Sequence, residues 1–277
     1  WLSKGISSKD KFIYLWTQIA NEFKNYNEYL IFQSMDQVEF KIGDSHDYMT
    51  LLVLNQAFVD AVRNTGGKNS ERLLIVVGMN QDPDYTFSSF YKIPIDPSRK
   101  LAISVYYYQP LIFTMDPEEN PWTWIDYNGD IQVTKPVKEW GSEYDYKELY
   151  VYFQTLKEMF VDKGYPIILS EVGVLTEDKK DINSTREYLY SIFSISRTFD
   201  GIMACLWDTS DKKLGNMNYY DRKNDKWYDE VIRDNFKKIS EGDYIKFSDF
   251  CYYSNKDTVN NLNRNEYLSL KFGKKKI

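Results

Sequence analysis

The feature that most constrains this chain is a repeated switch between two hydrophobic patterns. Short apolar runs alternate with longer stretches whose apolar residues recur every three to four positions. Phe12, Leu15, Trp16, Ile19 and Phe23 hold helical spacing and predict an amphipathic helix over residues 9–25. Leu30-Ile31-Phe32 then predicts a buried strand. Leu51, Leu54, Phe58 and Val62 predict a second helix, stopped by Gly66-Gly67. Further strands are predicted at Leu73 to Val77, Leu101 to Val105, Pro166 to Leu169 and Ile202 to Leu206. Further helices are predicted from Ser142 to Lys163, from a Ser184/Glu187 capping box through Arg197, and around Val231, Ile232, Phe236 and Ile239. Buried strands joined by helical crossovers are the pattern of a parallel sheet, so the fold class is α/β. Residues 109–140 break the alternation and read as a long irregular insertion. From Asp243 onward the pattern lapses into Tyr-, Asn- and Lys-rich sequence.

Composition narrows the chemistry. The single histidine, His46, sits in a polar stretch and leaves little scope for a histidine-based metal site or a serine–histidine triad. We therefore expect no metal and no cofactor, and any acid–base chemistry has to come from carboxylates. With 35 basic against 41 acidic residues the net charge is −6, which argues against a nucleic-acid partner. No stretch is apolar enough to span a membrane. Cys205 lies in an apolar run and Cys251 in a polar one, so two free thiols are expected. Aromatic residues make up 17% of the chain. Two uses fit that number: core packing, or stacking against the apolar C–H faces of sugar rings.

In a parallel barrel, function sits on the loops that follow the strands. The strand ends here carry Asp36-Gln37-Val38, Gly78-Met79, Tyr106-Tyr107-Tyr108, Ser170-Glu171 and Trp207-Asp208. Glu171 follows the uninterrupted run Pro166-Ile167-Ile168-Leu169-Ser170. A carboxylate there is costly unless it is paired or used, so Glu171 is either an active-site residue or one half of a structural ion pair.

Several of these segments resemble glycoside hydrolase family five of the cellulase, or endoglucanase, type. Lys163-Gly164-Tyr165-Pro166-Ile167-Ile168-Leu169-Ser170-Glu171-Val172-Gly173 resembles the stretch bearing that family's nucleophile, close to Ile-Gly-Glu-Phe-Gly. Leu30-Ile31-Phe32-Gln33-Ser34-Met35-Asp36-Gln37-Val38 resembles Leu-Ile-Phe-Glu-x-x-Asn-Glu-Pro, which carries the acid/base. Leu54 through Arg63 and Cys205-Leu206-Trp207-Asp208 also match, and the resemblance runs from residue 1 to about residue 250. It implies a (β/α)8 TIM-barrel type of α/β fold, with strands four to eight present in this chain. Residues 1–242 would then be an incomplete glycosidase-type barrel and residues 243–277 a C-terminal extension. Five strands are found where a closed barrel needs eight. We therefore expect the first three βα units upstream or in a separate polypeptide, on the order of a hundred residues at ~30 per unit.

The departures from the family pattern bear on chemistry. A retaining glycosidase needs two carboxyl groups roughly 5–5.5 Å apart. The resemblance puts Glu171 at the nucleophile position, but the acid/base position holds Gln37, whose amide cannot release a proton. Asp36 stands where the family has an Asn that contacts the sugar 2-hydroxyl, and Val38 stands where it has Pro. Tyr106 replaces the His of His-x-Tyr, while Tyr108 keeps the second position. Glu39, two residues beyond Gln37, and Asp36 are the candidate substitutes for the missing acid. Trp207 matches the family's sugar-floor tryptophan; a core ring capping the barrel is the other reading. Trp122 and Trp124 are either cleft walls or loop-packing anchors.

The expected function is that of a pseudoenzyme: a catalytically impaired, secreted, extracellular protein of plant polysaccharide degradation. Its partner would be β-glucan or an oligosaccharide, or a component of a polysaccharide-degrading complex. The alternatives are a weak β-1,4-glucanase using Glu171, and a scaffold module working through its outer surface.

Overall fold

The computed structural model describes residues 6–38, 40, 45–115, 123–125, 131–133, 136–176, 180–209 and 216–245. Five strands, β1 (Phe32–Gln33), β2 (Leu74–Val77), β3 (Leu101–Tyr107), β6 (Ile167–Val172) and β7 (Ile202–Leu206), form one sheet in that order. The five expected strands are all present, and their order in space follows their order in the chain. A doubly wound sheet reverses order at a switch point; an arc of a (β/α) barrel does not. The register is parallel, with Phe32 opposite Leu74 and Leu74 opposite Leu101. The chain divides into two compact units, residues 1–107 with 159–170, and residues 108–158 with 171–277.

In the first unit, α1 (Lys9–Phe23) packs on α2 (Ser45–Arg63). Leu51, Leu54, Phe58 and Val62 are buried, as their spacing predicts. On α1 the expected stripe is only partly buried: Phe12 and Ala20 lie in the core, whereas Leu15 and Ile19 are exposed. Trp16 takes the central place, its ring 4.5 Å from Phe58 and 5.6 Å from Phe32. Gly66 and Gly67 end α2 with φ of 67° and 59°, a left-handed turn that residues with a Cβ resist. Arg72 is a buried post: it donates to the carbonyls of Phe23, Tyr26, Asn27 and Leu30 and to Asn69 Oδ1. These bonds satisfy the exit of α1 and the entry to β1 with one side chain. Past β2, the short helix α3 (Pro83–Thr86) comes so close that a Cβ on Gly78 would lie 2.2 Å from Thr86 Oγ1.

In the second unit the stretch expected to be irregular holds a short helix, α4 (Leu111–Thr114), and an antiparallel hairpin of β4 (Thr123–Ile125) and β5 (Ile131–Val133). Helix α5 (Glu143–Met159) is followed by a 3-10 turn, Val161–Lys163, and Gly164 in the left-handed conformation. Helix α6 (Ile182–Thr198) begins earlier than expected. Its cap is Asp181, which accepts from Ser184 N, so the Ser184 capping box is corrected. Asp181 sits where the chain is still extended, the backbone that an N-cap takes. Trp140, Phe113 and Tyr188 pack together in the core, with Tyr188 fully buried. A second hairpin, β8 (Tyr220–Asp221) with β9 (Lys226–Trp227), precedes α7 (Glu230–Ser240), which Asp229 caps. Residues 246–277, including Cys251, lie outside the described residues.

Candidate active site

In the first unit the site residues follow β1, β2 and β3. Asp36 and Gln37 end the run after β1, and Gln37 has φ of +48°, the left-handed region that a side chain disfavours. Its backbone N–H donates to Gln81 Oε1 at 2.8 Å. Asp36 is exposed, and its Oδ1 accepts from the Tyr106 hydroxyl at 2.8 Å. That same hydroxyl lies 2.8 Å from Gln81 Oε1. Alternation along β3 sends Tyr107 to the core and leaves Tyr106 half-buried. Gln37 and Tyr106, predicted from separate strand ends, thus meet at one amide, and Asp36 joins them through the Tyr106 hydroxyl. Glu39 lies outside the described residues.

In the second unit Glu171, in the last turn of the pleat of β6, is buried at 6% exposure. Tyr108 donates its hydroxyl to Glu171 Oε2 at 2.7 Å. A charge-assisted O–H···O bond of that length orients the carboxylate and offsets part of its desolvation. A Cβ on Gly173 would lie 2.4 Å from the Met217 sulfur, so a side chain there would require that flexible thioether to move. Trp207 N donates to Val172 O at 2.9 Å, which seats the end of β7 beside the end of β6. Trp207 is 41% exposed, so part of the residue is accessible to a ligand. Asp208 turns inward: its Oδ1 accepts from Tyr219 N and Tyr220 N, and Arg222 pairs with its other oxygen at 3.0 Å. Trp122 lies outside the described residues; Trp124 lies in β4, its backbone opposite Gln132.

Sequence reasoning missed Gln81, Asn80 and Ser104. Gly78-Met79 was recognised as a strand end, but the chain goes on through Asn80 and Gln81, both with φ above +50°. Adjacent amide residues just past a strand were the available signal, since asparagine is the side chain most tolerant of that conformation. Among the described residues no group of three or more His, Cys, Asp or Glu side chains is arranged to hold a metal ion. The first unit offers an acceptor-only Asp36 and a neutral amide at Gln37; the second offers a held carboxylate, Glu171, and an exposed indole, Trp207. These suit a polyhydroxylated ligand with apolar ring faces.

Comparison with known proteins agrees with this chemistry. The model of the cellulase family, glycosyl hydrolase family 5, matches residues 2–213. Endoglucanase A of Paenibacillus barcinonensis is 34% identical over 67% of this chain and 48% of its own length. Endoglucanase B of Ruminococcus albus is 27% identical over 83% of this chain and 52% of its own. The chain therefore spans about half the length of the curated relatives it matches. Among solved structures, a GH5-4 broad specificity endoglucanase from an uncultured bovine rumen ciliate is 54% identical. It superposes with a TM-score of 0.81, covering 87% of this chain and 68% of that one. A lichenase from Caldicellulosiruptor sp. F32, solved with cellotetraose as a variant with glutamine in place of one glutamate, is 29% identical. Its TM-score is 0.71, with 83% of this chain and 63% of that chain covered. On the family match and the parallel (β/α) arc together, this chain belongs to glycosyl hydrolase family 5.

Proposed function

We propose that this protein binds β-glucan through its family 5 site, outside the cell, and hydrolyses it poorly or not at all. The observation that carries the reading is Gln37 at the acid/base position of the motif. Its amide neither protonates a leaving oxygen nor activates water, and losing that function costs about 10²–10⁴-fold in rate. The binding half rests on Trp207, which is partly exposed, and on Asp36 and Tyr106, whose polar atoms suit sugar hydroxyls. The lichenase variant lends support from outside: a protein of the same fold with a glutamate-to-glutamine exchange holds cellotetraose.

Calorimetric titration with cello-, xylo- and manno-oligosaccharides tests binding, and reducing-end release from β-glucan tests turnover. Binding with little or no release is expected. Substantial cellulase activity in the unmodified protein would refute the impaired reading.

A second reading is a weak β-1,4-glucanase, favoured by one observation: Glu171 is buried and held by Tyr108, as a nucleophile should be. Aryl glycosides with activated leaving groups need no protonation to depart. A burst of aryl release followed by a stall supports this reading, because a glycosyl-enzyme would accumulate without a base to activate water. No release at all from the activated substrate rules it out.

A further inference from the structure

Gln81 is 2% exposed, and its buried amide is committed on both sides. Oε1 accepts from Gln37 N at 2.8 Å and shares with Asp36 Oδ1 the single proton of the Tyr106 hydroxyl, 2.8 Å away. Nε2 donates to Ser104 Oγ at 3.2 Å, and Ser104 Oγ lies 2.8 Å from Ser170 Oγ. The orientation of the amide is settled by its surroundings, since a flipped amide would aim its NH2 at the Gln37 N–H. The next residue back makes a matching pair of bonds. Asn80 Oδ1 accepts from Phe40 N at 2.8 Å, and Asn80 Nδ2 donates to Phe40 O at 3.0 Å.

The described residues hold five non-glycine positions with positive φ, and three of them, Gln37, Asn80 and Gln81, lie in these two clamped loops. A side chain disfavours the left-handed region, so such strain persists only where neighbours over-determine it. Here they do: Gln37 is itself one of the strained positions, and strained Gln81 accepts its N–H.

We propose that Gln81 is a positioning residue of the glucan site: one buried amide fixes the left-handed backbone at Gln37 and holds the Tyr106 hydroxyl against Asp36. The proposal rests on the glucan-binding reading above. Gln81 touches no ligand itself. It acts by keeping two groups of the site in place before a ligand arrives, which reduces what binding must spend on ordering them.

The test uses Gln81→Met, which fills nearly the same volume without the amide. Two quantities are measured on the full chain: affinity for cellotetraose, and hydrogen exchange of the backbone amides over residues 36–40. The expected result is a ~10-fold loss of affinity, the size of one or two net hydrogen bonds, with faster exchange at residue 37. Gln81→Glu keeps an acceptor for both donors and should recover the protection at residue 37. If the Met variant does not fold, Gln81→Asn takes its place, keeping the amide but withdrawing it from the Gln37 N–H and the Tyr106 hydroxyl, and a ~3–10-fold loss with faster exchange at residue 37 is expected. Unchanged affinity and unchanged exchange in a folded Gln81→Met protein overturn the proposal. An unmodified protein that binds no cello-, xylo- or manno-oligosaccharide overturns the glucan reading first, and the two failures are told apart by that control.

Discussion

Asp36 and Gln37 are tied to their surroundings through different atoms, the one by its carboxylate and the other by its backbone N–H. Changing the side chain of Gln37 therefore leaves the hydrogen bond of Asp36 in place. In Gln37→Glu a new carboxylate would sit beside Asp36, with the Tyr106 hydroxyl still bonded to Asp36. We expect no normal cellulase from that single change. Asp36→Asn, Gln37→Glu and Tyr106→His together should release more sugar from β-glucan than Gln37→Glu alone, measured as reducing ends at equal protein concentration. Equal rates in the two proteins would remove the case that the three positions act as a set. Trp207 provides the corresponding test of binding. Trp207→Ala should weaken oligosaccharide affinity by ~1–3 kcal/mol, on the scale of ring stacking elsewhere, and an unchanged affinity would move the ligand away from this indole. At this scale the motif was legible in one dimension: Glu171, Tyr108 and Gln37 are visible as residue types at strand ends. The Gln81 bridge was not, because it depends on positive φ at residues 80 and 81 and on contacts spanning 25 and 44 positions.

Between elements, the most informative joint is Arg63 on α2 with Asp96 in the approach to β3. Arg63 Nε and one Asp96 oxygen are 2.8 Å apart, with the Asp96 side chain 1% exposed. Burial by itself would raise the Asp96 carboxyl. The bonds from Arg63, Ser98 and the Lys100 N–H outweigh it and hold the carboxyl well below the usual carboxylate range. Because the folded value is depressed, the unfolded chain binds the extra proton first as pH falls. This pair's stabilisation is therefore fully present above the ordinary carboxylate value of about 3.9 and is lost as pH drops below it. Urea unfolding of Asp96→Asn at pH 7 should show a loss of about 3–5 kcal/mol, since Arg63 is left buried and unpaired. The difference between variant and parent should narrow below pH 4; a gap that stays constant to pH 2 would contradict the assignment. At the start of α7, Asp229 accepts from Val231 N and Ile232 N and also pairs with Arg186 at 2.9 Å. Asp229→Ala should cost about 1–2 kcal/mol in thermal or chemical unfolding, typical of a lost N-cap. These caps also show where pattern reading stops. Ser184 with Glu187 satisfies the capping-box spacing, yet Asp181 three residues earlier holds the role, because the helix starts where the chain can first turn rather than where its apolar stripe begins.

For the molecule as a whole, the sheet has β1 and β7 as its outer strands among the described residues. In the first unit Ile31 is 42% exposed beside β1, and Leu15 and Ile19, one turn apart on α1, are 36% and 39% exposed. An unpaired strand edge with apolar neighbours is a template for association. Residues 1–277 in isolation should therefore self-associate with rising concentration in sedimentation runs, and Leu15→Lys with Ile19→Lys should reduce it. A strictly monomeric parent would show that these side chains are harmless. The sequence by itself determined the order and class of the elements, since the switch between strand and helix periods depends only on neighbouring residues. It also determined the family, through motifs that are contiguous in the chain. The tertiary structure alone decided which face of α1 is buried, where α6 begins, and which polar side chains meet at the strand ends. Those outcomes depend on groups that are distant in sequence and on backbone angles that residue type restricts but does not assign.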